Sequence, residues 1–210
     1  MFAELTARPP AGPPVVGLKL GSICSLLQDA STRRALWPAP VSATRRAMPT
    51  LRPHATKDYA HFLELDLETA LDALVDSTPE EQRALRERWP KLLAEQHGFG
   101  KDGPTRPGTQ LFTLEGEDGA YLGHLWLTEQ NAPVTGTRTL EVTTMGIVRS
   151  ARGQGLGRVL MQKAEHEAQA RGIEMIELSV AGNNRRARDL YRDLGYETTR
   201  RTMRKRMRGA

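Results

Sequence analysis

The chain has 210 residues and one cysteine, Cys24. An intrachain disulfide is therefore impossible, and a lone thiol supplies neither a redox pair nor a metal-ligand cluster. A reducing, cytoplasmic setting and no metal are expected. No apolar run approaches the ~20 residues that span a bilayer as a helix, so no membrane partner is expected. The chain holds no internal repeat. Two kinds of phosphate loop are also missing. The Lys-Ser/Thr pair of a P-loop is replaced by Arg158-Val159 after Gly157. The glycine spacing of a dinucleotide fingerprint fails too, because the glycines stand at 153, 155 and 157.

The formal net charge is +5, but it is unevenly placed. Residues 1–47 hold six basic side chains (Arg8, Lys19, Arg33, Arg34, Arg45, Arg46) and two acidic ones (Glu4, Asp29), so most of the excess sits there. That weakens a nucleic-acid reading, and no nucleic-acid partner is expected despite Arg200, Arg201, Arg204, Lys205, Arg206 and Arg208 near the end. Residues 1–47 carry Pro9-Pro10, Pro13-Pro14, Pro38 and Pro40 around an apolar stretch broken by Gly17, Lys19 and Gly21. They read as a flexible extension, or as sequence upstream of a true start at Met48. Residues 48–210 read as one folded domain.

From Thr56 the pattern turns helical: Tyr59, Phe62, Leu63, Leu67, Leu71 and Leu74 share one face. Asp58, Glu64, Asp66, Glu68, Asp72 and Asp76 lie opposite, as a solvated face. Thr78-Pro79-Glu80-Glu81 is a capping box with proline at the first helical position. That helix runs to His97 and stops at Gly98, with a kink or split expected at Pro90. Gly98–Gly108 reads as a long loop. Gln110–Glu115 and Tyr121–Glu129 read as a hairpin, and Thr139–Val148 as a central strand rich in β-branched residues. A helix over Leu156–Arg171, a strand over Ile173–Val180, a short helix over Arg185–Leu194 and a last strand over Tyr196–Met207 complete an α/β sandwich around one mixed sheet.

Two stretches carry chemistry. Val148-Arg149-Ser150-Ala151-Arg152-Gly153-Gln154-Gly155-Leu156-Gly157-Arg158 turns a strand into a helix through glycines. The unpaired amides of a helix start, its dipole and close backbone approach suit an anion. Val180-Ala181-Gly182-Asn183-Asn184-Arg185-Arg186-Ala187-Arg188-Asp189-Leu190-Tyr191-Arg192-Asp193-Leu194-Gly195-Tyr196 follows the next strand. Together they resemble the two central motifs of the GNAT superfamily of N-acetyltransferases. Val180, Asn184, Ala187, Leu190, Tyr191, Gly195 and Tyr196 match the anchors of the second. By its position alone Asn184 fits a helix cap as well as a ligand contact, and Tyr191 fits an apolar core.

The resemblance implies a mostly antiparallel mixed sheet with a central parallel strand pair and helices on both faces. It implies acetyl-CoA as acyl donor, with pantetheine entering where Thr139–Val148 and Glu174–Val180 diverge at a bulge. Ile147 and Val148 would meet the pantetheine arm. Arg149, Arg152, Gly153, Gln154, Gly155, Leu156, Gly157 and Arg158 would hold the pyrophosphate, and Asn184 and Tyr191 would line the cofactor. Tyr191 would protonate the leaving thiolate. Glu141, the acidic residue of the first central strand, is the expected general base, with His124 as its rival. The acceptor would be a small-molecule or peptide amine, and the protein a monomer or homodimer. The alternative is a non-catalytic acyl-CoA-binding module.

Overall fold

The computed structural model describes residues 49–74, 77–132 and 135–205. The expected extension over 1–47, the Met48 start, Asp76 and Met207 lie outside the described residues. In chain order the elements are β1 (Thr50–Pro53), α1 (Tyr59–Ala73), α2 (Pro79–His97), β2 (Phe99–Gly100), β3 (Gly103–Pro104), β4 (Thr109–Glu115), β5 (Tyr121–Asn131), β6 (Arg138–Ile147), α3 (Leu156–Ala170), β7 (Ile176–Leu178) and α4 (Arg185–Asp193).

Five strands form one sheet in the order β1-β4-β5-β6-β7. Every pairing is antiparallel except β6 with β7. The two-residue period of strands sorts side chains onto two faces. Phe112, Leu114, Leu125, Leu127, Leu140 and Val142 pack against Leu156, Leu160, Met161, Ala164 and Ala168 of α3. Leu111 and Trp126 pack on the other face with Phe62 of α1, Leu93 of α2 and Phe99. The mixed sheet with helices on both faces agrees with the expectation.

Local chemistry explains most of the boundaries. The Thr78 hydroxyl accepts from the Glu81 amide at 3.2 Å, and the Glu81 carboxylate accepts from the Thr78 amide at 2.7 Å. α2 nevertheless runs through Pro90 as one helix, because losing one amide donor is offset by the turns on either side and by Leu93 in the core. The loop expected over 98–108 contains the small β2–β3 hairpin.

Two strand expectations are corrected. β7 is three residues long rather than the eight of Ile173–Val180; its ladder to β6 pairs only Ile176, Glu177 and Leu178, with one further bond from the Leu140 amide to the Met175 carbonyl at 2.9 Å. Residues 196–205 form no strand. Past Tyr196, which packs against the α3-side core, the side chains are exposed, Met203 to 94%.

Candidate functional site

The parallel ladder between β6 and β7 covers only Leu140↔Ile176, Glu141↔Glu177 and Val142↔Leu178. Directly after it, the β5–β6 register slips: Leu127 faces Val142 while Trp126 faces Thr144, leaving Thr143 as the extra residue of a bulge. The bulge turns Thr143 and Thr144 to the same face. The Thr143 hydroxyl meets that of Thr128 at 2.7 Å, and the Thr144 hydroxyl donates to Asp66 of α1 at 2.7 Å. Beyond it, among the described residues, β6 pairs with no strand on its β7 side. The Val148 amide donates to the Leu122 carbonyl at 3.0 Å. Counting back along an antiparallel ladder, Ile147 and Met145 point their amides and carbonyls away from β5, into the gap. Of the two residues expected to meet the pantetheine arm, Ile147 keeps a free amide and Val148 has spent its own on Leu122.

At the end of β6 the chain makes a short 3₁₀ turn over Arg149–Ala151 and enters the glycine loop. Gly153 and Gly155 have φ of 88° and 79°, the left-handed region that glycine enters at little cost. Gly155 is the N-cap of α3. Among the described residues, the amides of Gly153, Gln154, Gly155, Leu156 and Gly157 donate to no acceptor. Five free N–H groups at a helix start could cradle an anion. Gly157 serves another purpose, because a Cβ there would come within 2.9 Å of Leu190 on α4. That glycine lets α4 lie against the loop.

The arginines divide differently from the expectation. Arg149 pairs with Glu68 of α1 and lies 3.7 Å from Asp72. Arg152 donates to the Ile147 carbonyl at 2.9 Å and lies 4.0 Å from both carboxylates. The acidic side of α1 is therefore not simply solvated. Asp58 and Asp66 are buried, and Glu68 and Asp72 face the loop arginines. Arg186 was not singled out from its neighbours, since Arg185 and Arg188 look the same in sequence. Its guanidinium lies 3.2 Å from where a Cβ on Gly153 would stand. Arg158 and Arg186 have no ion pair among the described residues.

Asn184 caps α4, its side-chain oxygen accepting from the Ala187 amide at 3.0 Å. Asn183 donates to the Asp72 carbonyl at 2.8 Å, tying the β7–α4 loop to the end of α1. Tyr191 packs on the α3-side core with its ring 6.0 Å from that of Tyr196. Burial raises its pKa, and among the described residues its hydroxyl has no hydrogen-bond partner. A protonated phenol with a free hydroxyl is a competent proton donor.

Glu141 lies on the α1 side of β6, where Gln130 donates to it at 3.0 Å. Burial, then the neighbouring Glu177, raise its pKa, as suits a base. His124 is fully buried, and burial pushes its pKa down to about 3, so it is neutral. Asp66 belongs to this group although sequence reasoning placed it in water. The signal was its spacing, four residues after Phe62 on the same stripe of α1. No cluster able to hold a metal ion occurs among the described residues.

Comparison with known proteins bears on this geometry. Over 79 residues the chain is 42% identical to a mycothiol acetyltransferase of Beutenbergia cavernae; the match covers 38% of this chain and 25% of that protein. The chain thus spans well under half of that relative's length. The YycN protein of Bacillus subtilis superposes with a TM-score of 0.61 at 20% identity, over 76% of this chain and 99% of that one. A predicted acetyltransferase of Clostridium acetobutylicum, solved with acetyl-CoA, superposes with a TM-score of 0.52 at 17% identity, over 76% and 96% of the two chains. The model of the acetyltransferase (GNAT) family matches residues 69–196, more than half of the chain. With its fold and glycine loop in accord, the chain belongs to the acetyltransferase (GNAT) family.

Proposed function

We propose that this chain moves an acetyl group from acetyl-CoA to the primary amine of a small molecule or peptide by direct attack. One observation carries the reading: the β6–β7 ladder ends at Val142 and Leu178, and the open strand edge leads straight to five unpaired amides. An extended pantetheine arm fits that edge as an added strand would, and the pyrophosphate fits the amides of residues 153–157. Arg158 and Arg186 add uncommitted positive charge beside them. The relative named a mycothiol acetyltransferase and the neighbour solved with acetyl-CoA support the donor and the reaction class.

In this reading the Ile147 amide polarises the thioester carbonyl, a contribution often worth ~3 kcal/mol per donor. The neutral amine attacks the carbonyl carbon, and the C–S bond breaks. Tyr191 gives its phenol proton to the departing sulfur, and Glu141 takes the proton that the nitrogen loses as the amide forms. Asn184 acts by capping the helix that carries Tyr191. Arg149 and Arg152 contribute to the pyrophosphate site as they exchange Glu68 and Asp72 for phosphate. The protein works in the cytoplasm as a monomer or homodimer.

The test is an amine screen with acetyl-CoA, read as thiol release, for the wild type and Tyr191→Phe. The variant should turn over about ten-fold more slowly or worse while binding acetyl-CoA normally. Unchanged turnover removes Tyr191 as the acid. Binding of acetyl-CoA without amine-stimulated thiol release favours the non-catalytic alternative.

A further inference from the structure

The sheet face beneath α1 holds a file of polar groups inside an apolar layer. Tyr121, at the start of β5, lines a cavity of about 710 Å³ together with His61, Glu64 and Val148. Its hydroxyl lies 2.9 Å from Nδ1 of His124. Nε2 of the same ring is buried without a hydrogen-bond partner and stands 3.8 Å from Oδ1 of Asp66. Asp66, itself 4% exposed, accepts from Thr144, the first residue past the bulge on the edge that β7 leaves open. The file therefore links the cavity wall to the cleft. An incompletely paired histidine and carboxylate in a core cost stability that apolar residues would not. A sheet built for packing alone has no use for them.

The protonation states give the file a direction. Burial, then His54 beside it, keep His124 neutral. Burial, then Asp58 and Asp66, push the Tyr121 phenol far up, so it stays protonated and donates to Nδ1. The imidazole's own proton then sits on Nε2, facing Asp66. Burial raises Asp66 to about 6, against the opposing hydrogen bond from Thr144. From the surrounding elements, α2 turns the Trp89 indole to Asp66, and His61 of α1 stacks on Tyr121 with ring centroids 5.5 Å apart.

We propose that Tyr121, His124 and Asp66 form a proton relay that neutralises the acceptor's ammonium group in the cavity before it attacks. The relay rests on the transferase reading above and supplies the neutral amine that reading requires. An ammonium N–H bond breaks and its proton joins the Tyr121 oxygen as the phenol proton moves to His124 Nδ1. The Nε2 proton moves to Asp66 Oδ1. The amine keeps the electron pair, Tyr121 is again a phenol, His124 is neutral in its other tautomer, and Asp66 is a neutral acid. After product leaves, the reverse transfers return one proton to water and reset the file. Tyr121 alone touches the amine; His124 and Asp66 act through it.

The test compares kcat/KM for a primary alkylamine from about pH 6.5 to about pH 10, where such an amine loses its own proton. Near pH 7, Asp66→Asn and Tyr121→Phe should each lose about ten-fold or more, within the range of a general base. Both should recover to within about two-fold at the alkaline end, with KM for acetyl-CoA unchanged, because the free amine no longer needs the relay. A structural defect would persist at every pH. A pH-independent loss in both variants, or no loss in either, overturns the relay. Should the wild type acetylate no amine, the transferase reading fails separately, and nitrogen NMR of the wild-type His124 ring decides the relay. Protonation on Nε2, with ring shifts that follow a carboxyl titration near about 6, supports it. Protonation on Nδ1, or shifts flat across that titration, overturns it.

Discussion

Replacing Gly155 separates the work of backbone from that of side chains in the anion cradle. Gly155 caps α3 at φ 79°, and a Cβ built on it meets nothing within 4 Å. Gly155→Ala therefore adds no clash, only the cost of holding an L-residue in the left-handed region, roughly 1–2 kcal/mol. That cost falls in one of two places. If the loop keeps its shape, the folded state loses the whole amount, and the melting temperature falls by about 2–4 °C per kcal/mol for a chain of this size. If the free loop relaxes, stability is spared, but acetyl-CoA must restore the cradle and binds about 5–30-fold more weakly. Calorimetric binding and thermal melts on one preparation should yield a combined loss of roughly 1–2 kcal/mol. Gly157→Ala is the contrast, because its Cβ would come within 2.9 Å of the end of the Leu190 side chain, which must shift to make room. If Gly155→Ala leaves both affinity and melting temperature unchanged, the cradle does not depend on this backbone conformation.

Two further outcomes follow from charge. Arg186→Ala removes a cation that has no ion pair among the described residues. It should leave stability unchanged and weaken acetyl-CoA binding about five-fold at low salt, with the difference shrinking as salt rises; titration calorimetry at two ionic strengths checks it. Asp58 is 3% exposed and lies 2.6 Å from Arg52. Burial alone would raise its pKa, but Arg52, the Ala55 amide and Thr113 outweigh it and hold the group at about 2. A depressed carboxylate stabilises the fold above its unfolded pKa and loses that contribution as pH falls, here between about 4 and about 2. Denaturant melts should show a loss of roughly 2 kcal/mol across that window, and Arg52→Met should lose a similar amount at neutral pH.

Much of the fold was legible because its signals are local. The capping box at Thr78, the glycines that stop α2 and shape the cradle, and the two-residue period of β4–β6 each act through near neighbours. In the candidate site the readable signals were those carried by the backbone, as with the glycines around the unpaired amides of residues 153–157. Long-range partners were not legible. Nothing near Arg149 in the sequence shows that Glu68 will hold it, and the spacing of Asp66 from Phe62, which hints at burial, does not name Thr144 as its partner. The pattern from Tyr196 onward was misleading because, over the described residues 196–205, it pairs with no neighbouring strand. The alternating pattern of Ile176, Leu178 and Val180 likewise continues past the point where β7 leaves β6.

The extra residue at Thr143 also bears on how this strand can change. Leu140 and Val142 before it and Met145 after it all face α3, while Thr143 and Thr144 stand side by side on the other face. Deleting Thr143 would leave Val142 opposite Leu127 and Thr144 opposite Trp126 in plain alternation, so the core contacts would persist and the bulge alone would be lost. Loss of that one residue would straighten β6 against β5 without repacking the core, and would act on the open edge alone.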